Sequence, residues 1–321
     1  SANNTTPAYV VGNFTGNYDG NGKSITYQIS IKVNDTDENQ DGYIGLFGTL
    51  SSAVVKNLTI KESNISFTCS ESGAYSQTQR YMGFICGRMM GNATISNCCI
   101  NDSRVDISGF HGKIGKYVHV AGAVGSMEGG TLQGISYSCE PTSESDYTLD
   151  GLSCVGGMVA NLESNSEVVI ERCLFRGSLR VQGYNSTSCA NVGGIAGRVQ
   201  KNDTINSIVI RNCYVDATAI VSENTRAYES VAAGIAVLAR SVNLYNCYAN
   251  IGRISVVPDA TYNAAYPLSG KVNDGNSESN LTFRAGCENS GATVVKNEET
   301  KYYHTQSAGS VAPLLSQTSD Q

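Results

Sequence analysis

The 321-residue chain contains no tryptophan, five prolines and three histidines, and only 16% of its residues are charged. Its net charge of -6 excludes a nucleic-acid interface, which needs a basic face to neutralise phosphates. With 40% hydrophobic residues the chain is not the charged, apolar-poor sequence that stays disordered. No stretch approaches the roughly 18 consecutive apolar residues of a membrane-spanning helix, and no segment sustains the ~3.6-residue period of an amphipathic one. There is no Cys-x-x-Cys pair, and the histidines (His111, His119, His304) are scattered, so a thiolate–imidazole zinc site has no pattern to rest on. The paired-Asp and Gly-His-Gly motifs of polygalacturonases are also missing.

What the chain does have is glycine, 34 residues of it, arranged periodically. Six segments share an apolar–Gly–apolar core: YIGLFG (43–48), YMGFIC (81–86), VAGAVG (120–125), VGGMVA (155–160), VGGIAG (192–197) and AAGIAV (232–237). Their central glycines, Gly45, Gly83, Gly122, Gly157, Gly194 and Gly234, are 38, 39, 35, 37 and 40 residues apart. About a dozen residues later comes a second run: KNLTI (56–60), SNCCI (96–100), QGISY (133–137), ERCLF (171–175), RNCYV (211–215) and YNCYA (245–249). A third follows: ISF (65–67), VDI (105–107), YTL (147–149), LRV (179–181), AIV (219–221) and ISV (254–256). Apolar and polar residues alternate in the second and third runs, the period of a half-buried strand.

Three short strands copied six times describe a solenoid in which no coil buries its inner face alone. The expected fold is all-β: a single right-handed parallel β-helix of about seven coils, occupying residues 1–257. Irregular last coils and an extended tail are expected over 258–321. Glycine suits a corner, either through positive φ or through close approach of the next coil. Leu58, Cys98, Ile135, Cys173, Cys213 and Cys247 fall at one repeat position, which the Leu and Ile mark as inward-facing. Cys98, Cys173, Cys213 and Cys247 therefore form a core cysteine column, of buried thiols packed as small hydrophobes or of disulfides such as Cys213–Cys247 between coils. Cys69, Cys139 and Cys189, off the column in loops, are better disulfide candidates.

Asparagine marks the compartment. N-x-S/T sequons begin at Asn3, Asn4, Asn13, Asn34, Asn57, Asn64, Asn92, Asn101, Asn185, Asn202 and Asn280, about twice as many as chance supplies. They point to an extracellular or cell-surface chain carrying N-linked glycans. The chain begins SANNTTPAYV without a signal-peptide pattern, so a secreted chain is here in mature form. Asn57 is expected inside a strand, exposed beside inward Leu58.

YIGLFG with VVKNLTI, and VGGIAG with IVIRNCYV, resemble the GLUG-type repeats of secreted and surface-anchored parallel β-helix proteins. FTGNYDGNGKSI (14–25) resembles the lead-in of such helices. The resemblance covers roughly residues 10–257. It implies a cell-surface or adhesive protein rather than one chemistry. The third repeat departs most, because QGISYSCEPTSESDYTL lacks the N-C/L-Y step.

Candidate chemistry is sparse. Asp35, Asp37, Asn39 and Asp41 precede Gly42 and place oxygen ligands at alternate positions, a partial calcium-loop pattern without the closing Glu; an acidic connecting loop is the other reading. His111, Lys113, Lys116 and His119 form a basic group in one loop, suited to an acidic glycan or simply solvated. Asp19–Gly22 reads as a tight turn. A solenoid has open strand edges at its ends, and an uncapped first coil favours end-to-end self-association, extended into a head-to-tail filament if the contact does not close; a short irregular cap is the competing reading. The expected function is non-enzymatic: a glycosylated structural or adhesive surface protein. The alternative is a glycan-binding or polysaccharide-cleaving β-helix.

Overall fold

The computed structural model describes residues 9–33, 42–69, 79–108, 118–143, 145–164, 166–183, 189–201, 208–224, 229–238, 242–256, 262–266, 268–271, 282–283, 288–289, 292–296 and 299–303. Every regular element among them is a β-strand. The chain is a parallel β-solenoid with three sheets running along its axis, two of 14 strands and one of 8. The coil count differs slightly from that expected, because the middle sheet stacks eight strands in order, from Asn17–Asp19 to Thr282–Phe283.

Each repeat begins with the glycine motif, which forms two arms in the first sheet. In one coil these are Arg80–Gly83 and Cys86–Met90. The chain then crosses the middle sheet at Thr94–Ser96 and enters the third sheet at Cys99–Asn101 and Arg104–Ser108. From the fifth coil the two third-sheet segments merge into single long strands, Leu174–Gly183, Tyr214–Asn224 and Tyr248–Val256. At the far end Ala292–Lys296 adds to this sheet in parallel, and Glu299–Tyr303 then pairs with it antiparallel.

The central glycines do not turn the chain by positive φ; they admit close approach. A Cβ on Gly83 would sit 2.5 Å from the Ala123 carbonyl oxygen of the next coil, and one on Gly45, Gly122, Gly157 or Gly194 would strike the carbonyl of a glycine in the coil above. In a parallel stack the same position recurs every ~4.8 Å, so a glycine there receives another glycine's carbonyl.

Left-handed backbone occurs instead in the second run. Asn57, Asn97, Arg172, Asn212 and Asn246 have φ of 54°, 52°, 53°, 54° and 47°, and Gly134 takes the same place at 61°. The run is therefore a corner between two strands, not one strand, and Asn57 is a half-buried corner residue rather than an exposed strand residue. Asparagine is chosen because it enters this region at less cost than other non-glycine residues. The residue after it turns inward, which sets the Leu/Cys/Ile column.

The cysteines of that column have a specific job. The thiols of Cys98, Cys173, Cys213 and Cys247 donate to the carbonyls of Ser96, Glu171, Arg211 and Tyr245 at 3.3, 3.4, 3.3 and 3.3 Å, bridging the left-handed residue between them. Where the chain turns again in the early coils, Glu62 and Asp102 have positive φ, and Ser63 and Ser103 donate to Lys61 and Asn101 in the same way at 3.1 and 2.9 Å. No disulfide is found among the described residues. The inter-coil disulfide is thus replaced by a corner hydrogen bond, and Cys139, one of the loop candidates, is a buried thiol. Burial pushes the Cys98 thiol up to about 11 and lifts Cys213, which touches Cys173 and Cys247, well above the usual thiol range.

One contiguous apolar cluster fills the axis from Ile29 to Leu268. Two outcomes are expected from this geometry. Replacing exposed Asn97 by valine should cost about 1–2 kcal/mol of left-handed strain, whereas glycine should be close to neutral; urea unfolding of the two variants measures the difference. Cys98, Cys173 and Cys213 should resist iodoacetamide in the native chain and react fully after unfolding, as peptide mass mapping would show.

Candidate functional site

Two polar assemblies stand out against this repetitive background. The first is a seam on the outer side of the first sheet, where the two arms lie against each other. Its glycines permit the approach: a Cβ on Gly125 would sit 2.6 Å from the Met82 nitrogen and from the Tyr81 carbonyl carbon. On one arm, Tyr43, Tyr81, His119, Cys154 and Asn191 are register partners in successive coils. Identical spacing makes their rings stack, Tyr43 on Tyr81 at 5.7 Å and Tyr81 on His119 at 4.6 Å. The opposite arm supplies Thr49, Arg88, Ser126, Asn161 and Arg198, also in register. Arg88 lies over the Tyr43 ring at 5.2 Å, within cation–π range. It also holds Glu128 of the next coil through two hydrogen bonds of 2.6 and 2.8 Å.

His119 is therefore not part of an exposed basic loop. It sits in the strand Val118–Ala121 and is 5% exposed. Burial, with the positive charge of Arg198 nearby, holds its imidazole down to about 3. It is neutral at physiological pH and closed off from solvent, which makes it a packing group rather than a proton shuttle.

The second assembly lies on the outer face of the third sheet, under the long connection of the divergent third repeat. Asp146 accepts hydrogen bonds from the Thr142 backbone N–H at 2.6 Å, the Thr142 hydroxyl at 2.8 Å and Arg104 at 2.5 Å, which pins this connection. Tyr147 then covers Arg180, whose guanidinium carbon is 4.6 Å from the ring centre, and accepts a hydrogen bond from Arg253 at 3.2 Å. Beneath the ring, Arg180 grips Asp150 at 3.2 and 2.6 Å, and Gln182 adds a bond of 2.7 Å. Glu223 approaches the other side of Arg180 at 3.6 Å. Burial pushes the Asp150 carboxyl up against the opposing pull of Arg180. Two carboxylates flank one guanidinium under an aromatic lid, a set that can bind sugar hydroxyls or hold a proton in a shielded place.

The sequon asparagines divide. Asn13 and Asn92 are exposed, Asn92 in the turn after Gly91. Asn101 is half-buried. The Asn57 amide donates to Asp19 at 3.0 Å and that of Asn64 to Asp106 at 3.2 Å, so both are in use. Asn3, Asn4, Asn34, Asn185, Asn202 and Asn280 lie outside the described residues, as do Asp35, Asp37, Asn39 and Asp41 of the calcium pattern and His111, Lys113 and Lys116. Among the described residues no group of three or more His, Cys, Asp or Glu side chains is placed to hold a metal. Asp150, Arg180 and Glu223 were not singled out by the sequence; their only signal was a polar residue at the outward position of runs such as LRV (179–181).

The buried histidine makes stability pH-dependent. Its folded value of about 3 lies below the ordinary 6.5, so the unfolded chain binds a proton that the folded chain refuses. This contribution is present in full above pH ~6.5 and is lost progressively as pH falls towards 3. His119→Phe keeps a ring on Tyr81 and should flatten the fall in unfolding free energy between pH 7.5 and 4.5; an unchanged slope would remove His119 as its source.

Comparison of the chain with protein-family models, with curated proteins and with solved structures finds no match. What stands of the resemblance to GLUG-type proteins is its architecture, a parallel β-solenoid.

Proposed function

We propose that the chain is a non-enzymatic structural or adhesive module of the extracellular or cell-surface space, carrying N-linked glycans and associating with itself end to end. The carrying observation is the rod: one apolar core runs from Ile29 to Leu268, and its most elaborate polar seam is spent on joining coil to coil. Side chains committed to stacking, such as Tyr81 and His119, are unavailable to a substrate. A head-to-tail filament is the extended form of this assembly, and exposed Asn13 and Asn92 are the described sequons best placed for glycans.

A second reading has one observation in its favour. Asp150, Arg180, Glu223 and Tyr147 form a compact acidic–basic–aromatic group on one face, suited to binding or cleaving a glycan. A panel of neutral and acidic polysaccharides, assayed for reducing ends and for unsaturated uronate absorbance, separates the two. The structural reading expects no product from any of them. Product formation that Asp150→Asn abolishes would replace it by the glycan-cleaving one.

A further inference from the structure

The two ends of the rod are not alike. Among the described residues the first-coil strands Tyr9–Phe14, Asn17–Asp19, Ser24–Ile25 and Gln28–Val33 each pair with a neighbour on one side only. Their inward residues are correspondingly incomplete. Phe14, Tyr18, Ile25 and Ile31 are partly buried, whereas their register partners one coil on, Leu50, Val55, Ile60 and Phe67, are 0–2% exposed. The large apolar side chains counted as exposed among the described residues are Tyr9, Val10 and Val11, at 41%, 60% and 38%, and all lie on one edge strand. Among the described residues the first coil is thus an apolar disc ringed by backbone donors and acceptors that no further strand pairs.

We infer that this disc is an interface and that its occupant is the first coil of a second copy, related by a two-fold axis. This rests on the end-to-end reading above and names its joint. A cover for the disc must bring short strands of the same outline around an apolar centre, and the same coil of another chain has that form. A two-fold makes the facing edges antiparallel, which lets their free N–H and C=O groups bond directly. The strand with the exposed residues, YVVGNF, carries no charge, so meeting its own copy brings no like-charge repulsion. The opposite end finishes differently in the third sheet, where Glu299–Tyr303 runs antiparallel to Ala292–Lys296 and breaks the parallel order that a head-to-tail partner would extend there. An isologous contact of this kind closes as a dimer, so it keeps the end-to-end association but takes the place of the head-to-tail filament.

The test is light scattering coupled to gel filtration over a concentration series, with small-angle scattering of the main peak. The expected species has the mass of two chains, is longer than one rod, and dissociates on dilution. Val10→Asp should give a single-chain mass and the melting temperature of the dilute, dissociated wild type. Removing residues 1–8 should leave the pair intact. A series of ever larger assemblies would overturn the two-fold joint while leaving end-to-end association standing. A single-chain mass at every concentration would overturn both. A pair that survives Val10→Asp would place the joint elsewhere, and pairing only after residues 1–8 are removed would make that segment the occupant; either result refutes the inference.

Discussion

Each coil rests on the previous one at the distance of a single backbone hydrogen bond, and every residue must therefore tolerate its counterpart about 4.8 Å away. Most of the sequence follows from this like-on-like rule. At the arm corner only glycine meets the carbonyl of the next coil without collision. Rings answer it by stacking, as in Tyr81–His119, Tyr137–Phe175 and Tyr214–Tyr248. Charges answer it by alternating sign between coils, as in Arg88–Glu128, Lys56–Asp19 and Arg211–Glu171. Such exposed or half-exposed pairs add little net stability each, but a mismatched register would set like charges together.

Corners impose the second condition. At each left-handed corner the preceding carbonyl accepts the corner N–H of a neighbouring coil, as Ser96 does from Asn57 and Tyr245 from Asn212, and the next side chain points inward beside it. A thiol or hydroxyl there gives that carbonyl a second donor while filling the core, so cysteine in the middle-to-third-sheet corner and serine in the next corner are one solution at two sizes. Leu58 and Ile135, at the same position, fill volume without the bond.

The glycine spacing and the three strand runs are legible in the sequence because they depend on local residue type and repeat at a near-constant interval. The corner in KNLTI is harder to read: its sign is two outward residues in a row, Lys56 and Asn57, between buried Val55 and Leu58, and the positive φ of Asn57 makes that break a corner. From the sequence His119 reads as a loop residue, because its neighbours along the chain are basic; its true neighbours, Tyr81 and Arg198, are set by stacking across coils. The Asp150–Arg180–Glu223 group joins residues of three different coils, and a register shift between Gly177 and Ser178 helps to align them. No spacing rule along the chain carries that shift.

The direction of the backbone ladder has a mechanical consequence. The bonds between coils point along the rod, while the strands lie across it. A load spread over the whole cross-section is shared by all three sheets at once, and the coils must part together. A load applied through a chain terminus meets one edge strand at a time and can peel the rod coil by coil, as in a nearest-neighbour stack. The resistance of such a rod is therefore governed by where it is gripped: a broad face at its end makes it strong, a single strand makes it easy to unravel.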